Sequence, residues 1–297
     1  MTAEVTVTVV GAGGKMGMRV SDNLQLSTYR VFYCETHPAA QDRVRSAGRT
    51  LSKTMDAVAE SDVVILAVPD VVLGEVSEAV VPALRAGTVL LTLDPAAAYA
   101  GVLARRDDVH LAVAHPCHPS IFLQRTTPEQ WADTFGGVAA PQDVVAALET
   151  GDDAVRARSE AVIRTIYGPV IDVHWVTVKQ LAVLEPTLVE TVTCMVSGLL
   201  KDALYETVHT VGVPEAAARA MLLGHTQIAL TNTLRGSNPF SDACLIAMNY
   251  GRNAIVRDDW KTIFEDAKLD QVIATMLRID ALVRQPEVDA IAGDTGK

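Results

Sequence analysis

Residues Val5–Gly17 read VTVTVVGAGGKMG and carry a strand, a turn and a helix start in thirteen positions. Val5 to Val10 is a β-branched run of the kind that packs into a pleated sheet. It stops at Gly11, and a helical pattern follows over Lys15 to Leu26. Strand, glycine turn and helix in this order aim the N–H groups of a helix N-terminus at a pyrophosphate, and glycines let the phosphates come close to the backbone. In the G-x-G-x-x-G register the third position is Met16, and Gly17 arrives one residue late. Read as G-x-x-G-x-x-G, Gly11, Gly14 and Gly17 all fit. Gly11, Ala12, Gly13, Gly14, Lys15, Met16 and Gly17 are therefore candidate cofactor-binding positions.

The segments that follow repeat the alternation. A strand over Arg30 to Cys34 closes at Glu35, whose carboxylate can accept hydrogen bonds from ribose hydroxyls and repels a 2′-phosphate, favouring NAD over NADP. Gln41 to Ala47 reads as helix. Val63 to Val68 is an apolar strand ending in Pro69-Asp70, and Asp70 either reaches the cofactor or caps the next helix. Val71 to Leu84 reads as helix, and Thr88 to Leu93 and Val109 to Ala114 as buried strands. Apolar strands separated by helices predict an α/β fold, a doubly wound parallel sheet covered on both faces. After a helix over Ala154 to Tyr167 and a strand over Pro169 to Trp175 the pattern turns helical. Lys179 to Val211 is one long candidate, with Pro186 either kinking it or marking a later start, and three further helical stretches run to Val283. Two domains are expected, an α/β domain over residues 1–176 and an all-α domain over residues 177–297, with the tail Gln285 to Lys297 fraying.

The 297 residues include 25 Lys and Arg against 36 Asp and Glu, a net charge of −11. That excludes a general binder of nucleic acid or anionic membrane but says nothing against a small anionic substrate, because local charge can reverse the field. The longest stretch lacking Asp, Glu, Lys and Arg, Val109 to Gln124, is shorter than a membrane span. No basic leader precedes the first strand, so a cytoplasmic protein is expected, with no membrane partner. Cys34, Cys117, Cys194 and Cys244 form no C-x-x-C pair and are expected to be reduced and mostly buried.

His115-Pro116-Cys117-His118-Pro119 follows a strand, and ligands of open α/β sheets gather beyond the carboxyl ends of strands. Each histidine precedes a proline, which favours extended backbone and places residues three apart on opposite faces. His115, directly off the strand, is the inward candidate; a pair of structural turn histidines is the alternative. Leu181 to Leu200 is apolar nearly all round, as in a buried helix or a subunit interface, and a homodimer is expected. Its charged residues are Glu185 and Glu190, which lie about 140° apart on an ideal α-helix. If His115 binds a metal, Glu185 is the preferred second ligand and Glu190 the next; pairing with a buried arginine is the competing role. Lys179 opens the same helix.

The glycine turn, the segment Ala114-His115-Pro116-Cys117-His118-Pro119 and Leu184-Glu185-Pro186-Thr187 together resemble the D-apionate oxidoisomerase family. The turn alone also resembles those of prephenate dehydrogenase, dihydrodipicolinate reductase and β-hydroxyacid dehydrogenase relatives. The resemblance implies a Rossmann domain followed by a helical domain of the phosphogluconate-dehydrogenase C-terminal type. It implies NAD held by Gly13 to Met16, Glu35 and Asp70, and a divalent metal ion held by His115 and Glu185. The implied reaction oxidises D-apionate, a small sugar acid, at C2, and an α-ketol rearrangement then gives 3-oxo-isoapionate. His118, Lys179 or a metal-bound water would take the C2 hydroxyl proton. Two other readings stand beside it: a plain NAD-dependent hydroxy-acid or prephenate-like dehydrogenase, and a non-enzymatic NAD-binding redox sensor.

Overall fold

The computed structural model describes residues 5–236 and 238–283, so the expectation for Gln285 to Lys297 falls outside the described residues. Seven strands form one sheet: β1 (Thr6–Val10), β2 (Arg30–Cys34), β3 (Val63–Leu66), β4 (Val89–Thr92), β5 (His110–Pro116), β6 (Gln142–Leu148) and β7 (Val170–Trp175). Their order across the sheet is β2-β1-β3-β4-β5-β6-β7. Chain direction across the sheet reverses at β1, which lies between β2 and β3, and such reversals open the crevice where α/β proteins hold ligands. Every residue of β1, β3 and β4 is buried. That double-sided burial is why these strands read as unbroken β-branched and aliphatic runs.

The helices are α1 (Lys15–Gln25), α2 (Pro38–Ser46), α3 (Thr54–Ala59), α4 (Asp70–Val80), α5 (Ala96–Ala100), α6 (Pro128–Ala132), α7 (Asp153–Ile166), α8 (Val178–Ala182), α9 (Met195–His209), α10 (Glu215–Arg235), α11 (Asp242–Ile255) and α12 (Asp266–Leu277). In α1 the buried positions are Gly17, Val20, Ser21 and Leu24, the stripe expected of a helix lying on a sheet. Of these, Val20 and Leu24 join Val7, Val9, Ile65, Leu91, Ala112, Val162, Ile163 and Ile166 in the core.

Two features depart from the expected pattern. Strand β6 lies in a stretch with no expected element, and it pairs antiparallel with β5. Antiparallel pairing makes β6 begin where β5 ends, so residues 117–141 cross the carboxyl edge of the sheet rather than one of its faces. Strand β5 also runs two residues further than expected, to Pro116, and so includes His115.

The described residues fall into two compact units, one running through Val183 and resuming at Asp270, the other Leu184–Leu269. The second unit is helical. Val183–Cys194 is a π-helix, in which backbone bonds join residues five apart. Pro186 has no N–H to give an α-helical bond, so the regular α register is interrupted there. Thr191 Oγ1 donates to the Pro186 carbonyl at 2.7 Å and Thr193 Oγ1 to the Leu188 carbonyl at 3.0 Å, the same five-residue step. This register corrects the expected angular separation of Glu185 and Glu190, because residues five apart are axial neighbours in a π-helix. Glu185 is buried and Glu190 exposed.

Within a single chain the apolar helix is not buried along its length. Leu181 and Ala182 are covered, but Met195 is 56% exposed, and Leu188, Val189, Val196 and Leu199 are also exposed. Val178–His209 is long and apolar enough to cross a membrane by length and composition. The cysteines are free, and a further correction applies to them: Cys34 is buried, but Cys117 and Cys194 are exposed and Cys244 is intermediate. Cys117 follows the last residue of β5 at the sheet's edge, and Cys194 ends the π-helix among other exposed residues.

Candidate functional site

The turn after β1 is built from backbone bonds. Gly11 and Ala12 donate to the Cys34 carbonyl at 2.9 and 3.0 Å, tying the turn to the end of β2. Gly11 has φ 82°, which L side chains rarely adopt. A Cβ on Gly17 would lie 1.9 Å from the Gly11 carbonyl oxygen, so α1 approaches the turn more closely than any side chain permits. Gly14, at the N-cap of α1, differs: a Cβ there would meet nothing nearer than 3.4 Å. A side chain therefore has room at Gly14 that it lacks at Gly11 and Gly17.

Glu35 stands beside this turn. Its Oε2 accepts from the Gly13 N–H at 3.1 Å, and Oε1 accepts from Thr36 and His37 at 2.8 and 3.0 Å. The carboxylate is thus fixed at the turn, where a second negative charge on a ribose would be repelled. Asp70 is the first residue of α4, and no side-chain bond caps that helix. Partial burial raises its carboxyl above the ordinary range. Its carboxylate also accepts from its own backbone N–H in the first turn of α4, a local bond that acts against the rise. Lys15 is exposed on the first turn of α1, and Met16 packs against the core.

A second group forms at the ends of β4 and β5. The two strands are parallel, with Thr92 opposite Val113. Two residues further on, that register brings Asp94 alongside His115, and the pair offer ligand atoms within 4.8 Å of each other. His115 Nδ1 lies 3.1 Å from the Leu93 carbonyl oxygen. A carbonyl only accepts, so Nδ1 carries the proton and Nε2 keeps its lone pair. Burial pushes the imidazole down to about 4, against the Leu93 hydrogen bond and with a smaller contribution from His118. A neutral ring with a bonded Nδ1–H is the form that ligates a metal ion through Nε2. Asp94 Oδ1 accepts from the Ala96 N–H at 2.9 Å, which orients the carboxylate. Below them, the fully buried Tyr167 hydroxyl donates to the Ala114 carbonyl at 2.8 Å. Desolvation, then the charge of Asp94, raise the Tyr167 phenol. The donor set of a neutral imidazole and a carboxylate fits a divalent cation.

His118 does not point away from His115, as extended backbone would require. It has φ 61°, and the two rings stand edge to face with centroids 6.4 Å apart. The positive φ reverses the expected alternation and returns the second ring to the carboxyl edge. His118 Nδ1 lies 2.7 Å from the Phe135 carbonyl oxygen, so this ring too presents Nε2. Lys179 is the second residue of α8, whose start is secured by a capping box of Thr177 and Gln180. Helix α8 packs against α5, the helix that follows Asp94. Glu185 lies in the second unit, buried, three residues beyond the end of α8.

Asp94 and Phe135 went unmarked in the sequence. Asp94-Pro95 reads as a turn, yet it follows a buried strand as His115 does, and the carboxyl-end rule applies equally to both. Phe135 carried no signal, because its role depends on the path of residues 117–141.

Comparison with known proteins yields a consistent set of relatives. Residues 1–131 match the family of acetohydroxy acid isomeroreductase NADPH-binding domains, and residues 123–277 match phosphogluconate dehydrogenase (decarboxylating) C-terminal domains. A Pectobacterium atrosepticum protein named D-apionate oxidoisomerase is 63% identical over 96% of this chain and 100% of its own length. One of the same name from Cupriavidus necator is 41% identical over 90% of this chain and 97% of its own. A Cupriavidus necator crystal structure, described as a semialdehyde dehydrogenase NAD-binding protein in complex with calcium and NAD, superposes with a TM-score of 0.89. It is 40% identical and covers 92% of this chain and 99% of that one.

Proposed function

The chain belongs to the D-apionate oxidoisomerase family, and from that premise we propose that it oxidises D-apionate at C2 with NAD and rearranges the product to 3-oxo-isoapionate. We further propose that Asp94, His115 and Glu185 hold a divalent metal ion for this reaction. The observation that carries the proposal is the Asp94–His115 pair at the sheet's carboxyl edge, with the His115 Nδ1–H committed to Leu93. The calcium and NAD of the Cupriavidus necator structure support both ligand classes.

When bound, NAD takes the C2 hydride, and a divalent ion polarises the resulting ketone and acidifies the C3 hydroxyl. The chain's own groups do the rest. The turn at Gly11 to Gly17 and the N-terminus of α1 hold the pyrophosphate, and Glu35 accepts from the ribose. His118 Nε2, its ring oriented by Phe135, receives the C2 hydroxyl proton. Nothing in the placement of Lys179 selects it over His118 for that step. In the rearrangement the C3–hydroxymethyl bond breaks as the C2–hydroxymethyl bond forms. The C3 oxygen becomes a ketone and the C2 oxygen regains a proton.

The exposed apolar residues of the second unit support a homodimer. They include Met195, Leu199, Leu223, Ile228, Leu245 and Ile246, more apolar surface than a soluble monomer ordinarily leaves in water. A second copy would cover this surface, the apolar helix Val178–His209 included, and light scattering of the purified protein would show twice the chain mass.

The reaction is tested by incubating metal-loaded protein with NAD and D-apionate, following NADH and identifying the product by NMR. An unrearranged 2-oxo acid as the final product would overturn the isomerase step. Undiminished activity after chelation, or in Asp94→Asn, His115→Ala and Glu185→Gln, would overturn the metal site.

A further inference from the structure

Residues 133–140 form a turn organised by one side chain. Asp133 Oδ1 accepts from the Gly136 N–H at 2.9 Å, and Oδ2 accepts from Val138, Ala139 and Ala140 at 3.1, 2.8 and 3.0 Å. Gly136 and Gly137 both have positive φ, 80° and 85°, so the turn is tight at its centre. Helix α1 braces it from the other side. Arg19 Nη2 donates to the Gly136 carbonyl, and Asn23 Nδ2 donates to the Gly137 carbonyl at 3.1 Å. Desolvation would raise the Asp133 carboxyl, but the four backbone donors outweigh it and hold the group below its ordinary range.

Phe135 sits inside this turn and meets two functional elements at once. Its carbonyl accepts the His118 Nδ1–H, and its ring packs against the His118 ring with centroids 4.4 Å apart. The same phenyl carries the Arg19 guanidinium 4.1 Å from its centroid and the Lys15 ammonium at 5.3 Å. Both cations belong to α1, whose N-terminus closes the glycine turn. The His118 backbone is in the left-handed region, where a non-glycine residue persists only if its surroundings hold it.

We propose that Asp133 is the positioning residue for His118: its turn presents the Phe135 carbonyl that selects the Nδ1–H form of the imidazole, and the Phe135 ring ties that imidazole to the helix that opens the dinucleotide site. The catalytic side of this assignment rests on His118 being the base. The Asp133 carboxylate is engaged by four backbone N–H groups of its own turn. It acts through the turn, the turn through Phe135, and Phe135 through a ring nitrogen.

Histidine ¹⁵N spectra of the wild-type protein, with His118→Gln supplying the assignment, give the direct test. A single Nδ1–H form is expected for His118 in the wild type, and a mixture of both neutral forms in Asp133→Ala. Asp133→Asn keeps one acceptor oxygen and falls between them. Turnover is expected to drop about tenfold or more in Asp133→Ala while the KM for NAD moves by less than about threefold, the pattern of a misplaced group rather than lost binding. A wild-type His118 protonated at Nε2 would overturn the proposal even if Asp133→Ala fails to fold. So would an Asp133→Ala protein that keeps the single Nδ1–H form. Full activity in His118→Gln, with the expected spectra, would instead overturn the base assignment and leave the positioning role standing.

Discussion

Replacing Gly17 by alanine separates the packing of the dinucleotide turn from its binding role. The new Cβ would lie 1.9 Å from the Gly11 carbonyl oxygen and 2.9 Å from the carbonyl carbons of Gly11 and Ala12. Ordinary contact begins at 3.4 Å, so about 1.5 Å of separation must be found. Gly11 cannot supply it. Its N–H is bonded to Cys34, and on its other side the Ala67 carbonyl already leaves no room for a Cβ. The first turn of α1 must lift instead. Overpacking of this kind costs about 1–3 kcal/mol. At about 2–4 °C per kcal/mol for chains near this size, the melting temperature falls by roughly 5 °C. Lifting the helix start also withdraws its N–H groups from the pyrophosphate. Loss of one hydrogen bond to a charged group, about 1.5–3 kcal/mol, weakens NAD by roughly 10- to 150-fold. Gly14→Ala is the control. Its Cβ meets only ordinary contacts, so the melting temperature holds while NAD binding weakens. Thermal unfolding and calorimetric titration with NAD read both quantities. A Gly17→Ala protein that melts and binds NAD like the wild type would refute the close-approach argument.

Three further outcomes follow from the same geometry. Glu35→Gln removes the charge facing the ribose but keeps an acceptor, so the preference for NAD over NADP falls by about tenfold, roughly 1.4 kcal/mol, in the ratio of kcat/KM values; an unchanged ratio would place the discriminating group elsewhere. Tyr167→Phe leaves the buried Ala114 carbonyl without its side-chain donor, and urea denaturation should show a loss of about 1–2 kcal/mol. Asp133, held below its ordinary range by four N–H donors despite desolvation, contributes stability above the unfolded aspartate value. That contribution is lost as the pH falls through the lower folded value, so Asp133→Asn should be less stable at neutral pH and approach the wild type in acid unfolding.

Much of the architecture was legible because burial on both faces leaves a local signature. Strands β1, β3 and β4 are runs of β-branched and aliphatic residues, and the glycine turn announces itself between strand and helix. His115 was legible for a related reason: it follows such a run, and the edge where it lands is set by topology. Strand β6 was not, since QDVVAAL mixes polar and small residues and its partner is reached only through the path of residues 117–141. The π-helix escaped notice as well. Pro186 signals a disturbance in an α-helix but does not choose between a kink, a break and a wider register.

The amino-acid sequence alone was enough for the alternation of strands and helices, the glycine turn with Glu35 following the next strand, and the two histidines at the end of the fifth strand, because each depends on neighbours close in the chain. Only the tertiary structure paired Asp94 with His115, through the parallel register of β4 and β5. It alone turned His118 back by a positive φ and set Phe135 against it. These placements join residues about 20 apart, and hydrogen bonds across strands and turns set them rather than any local preference. A side chain's partner at that distance is a property of the folded sheet, which no local pattern records.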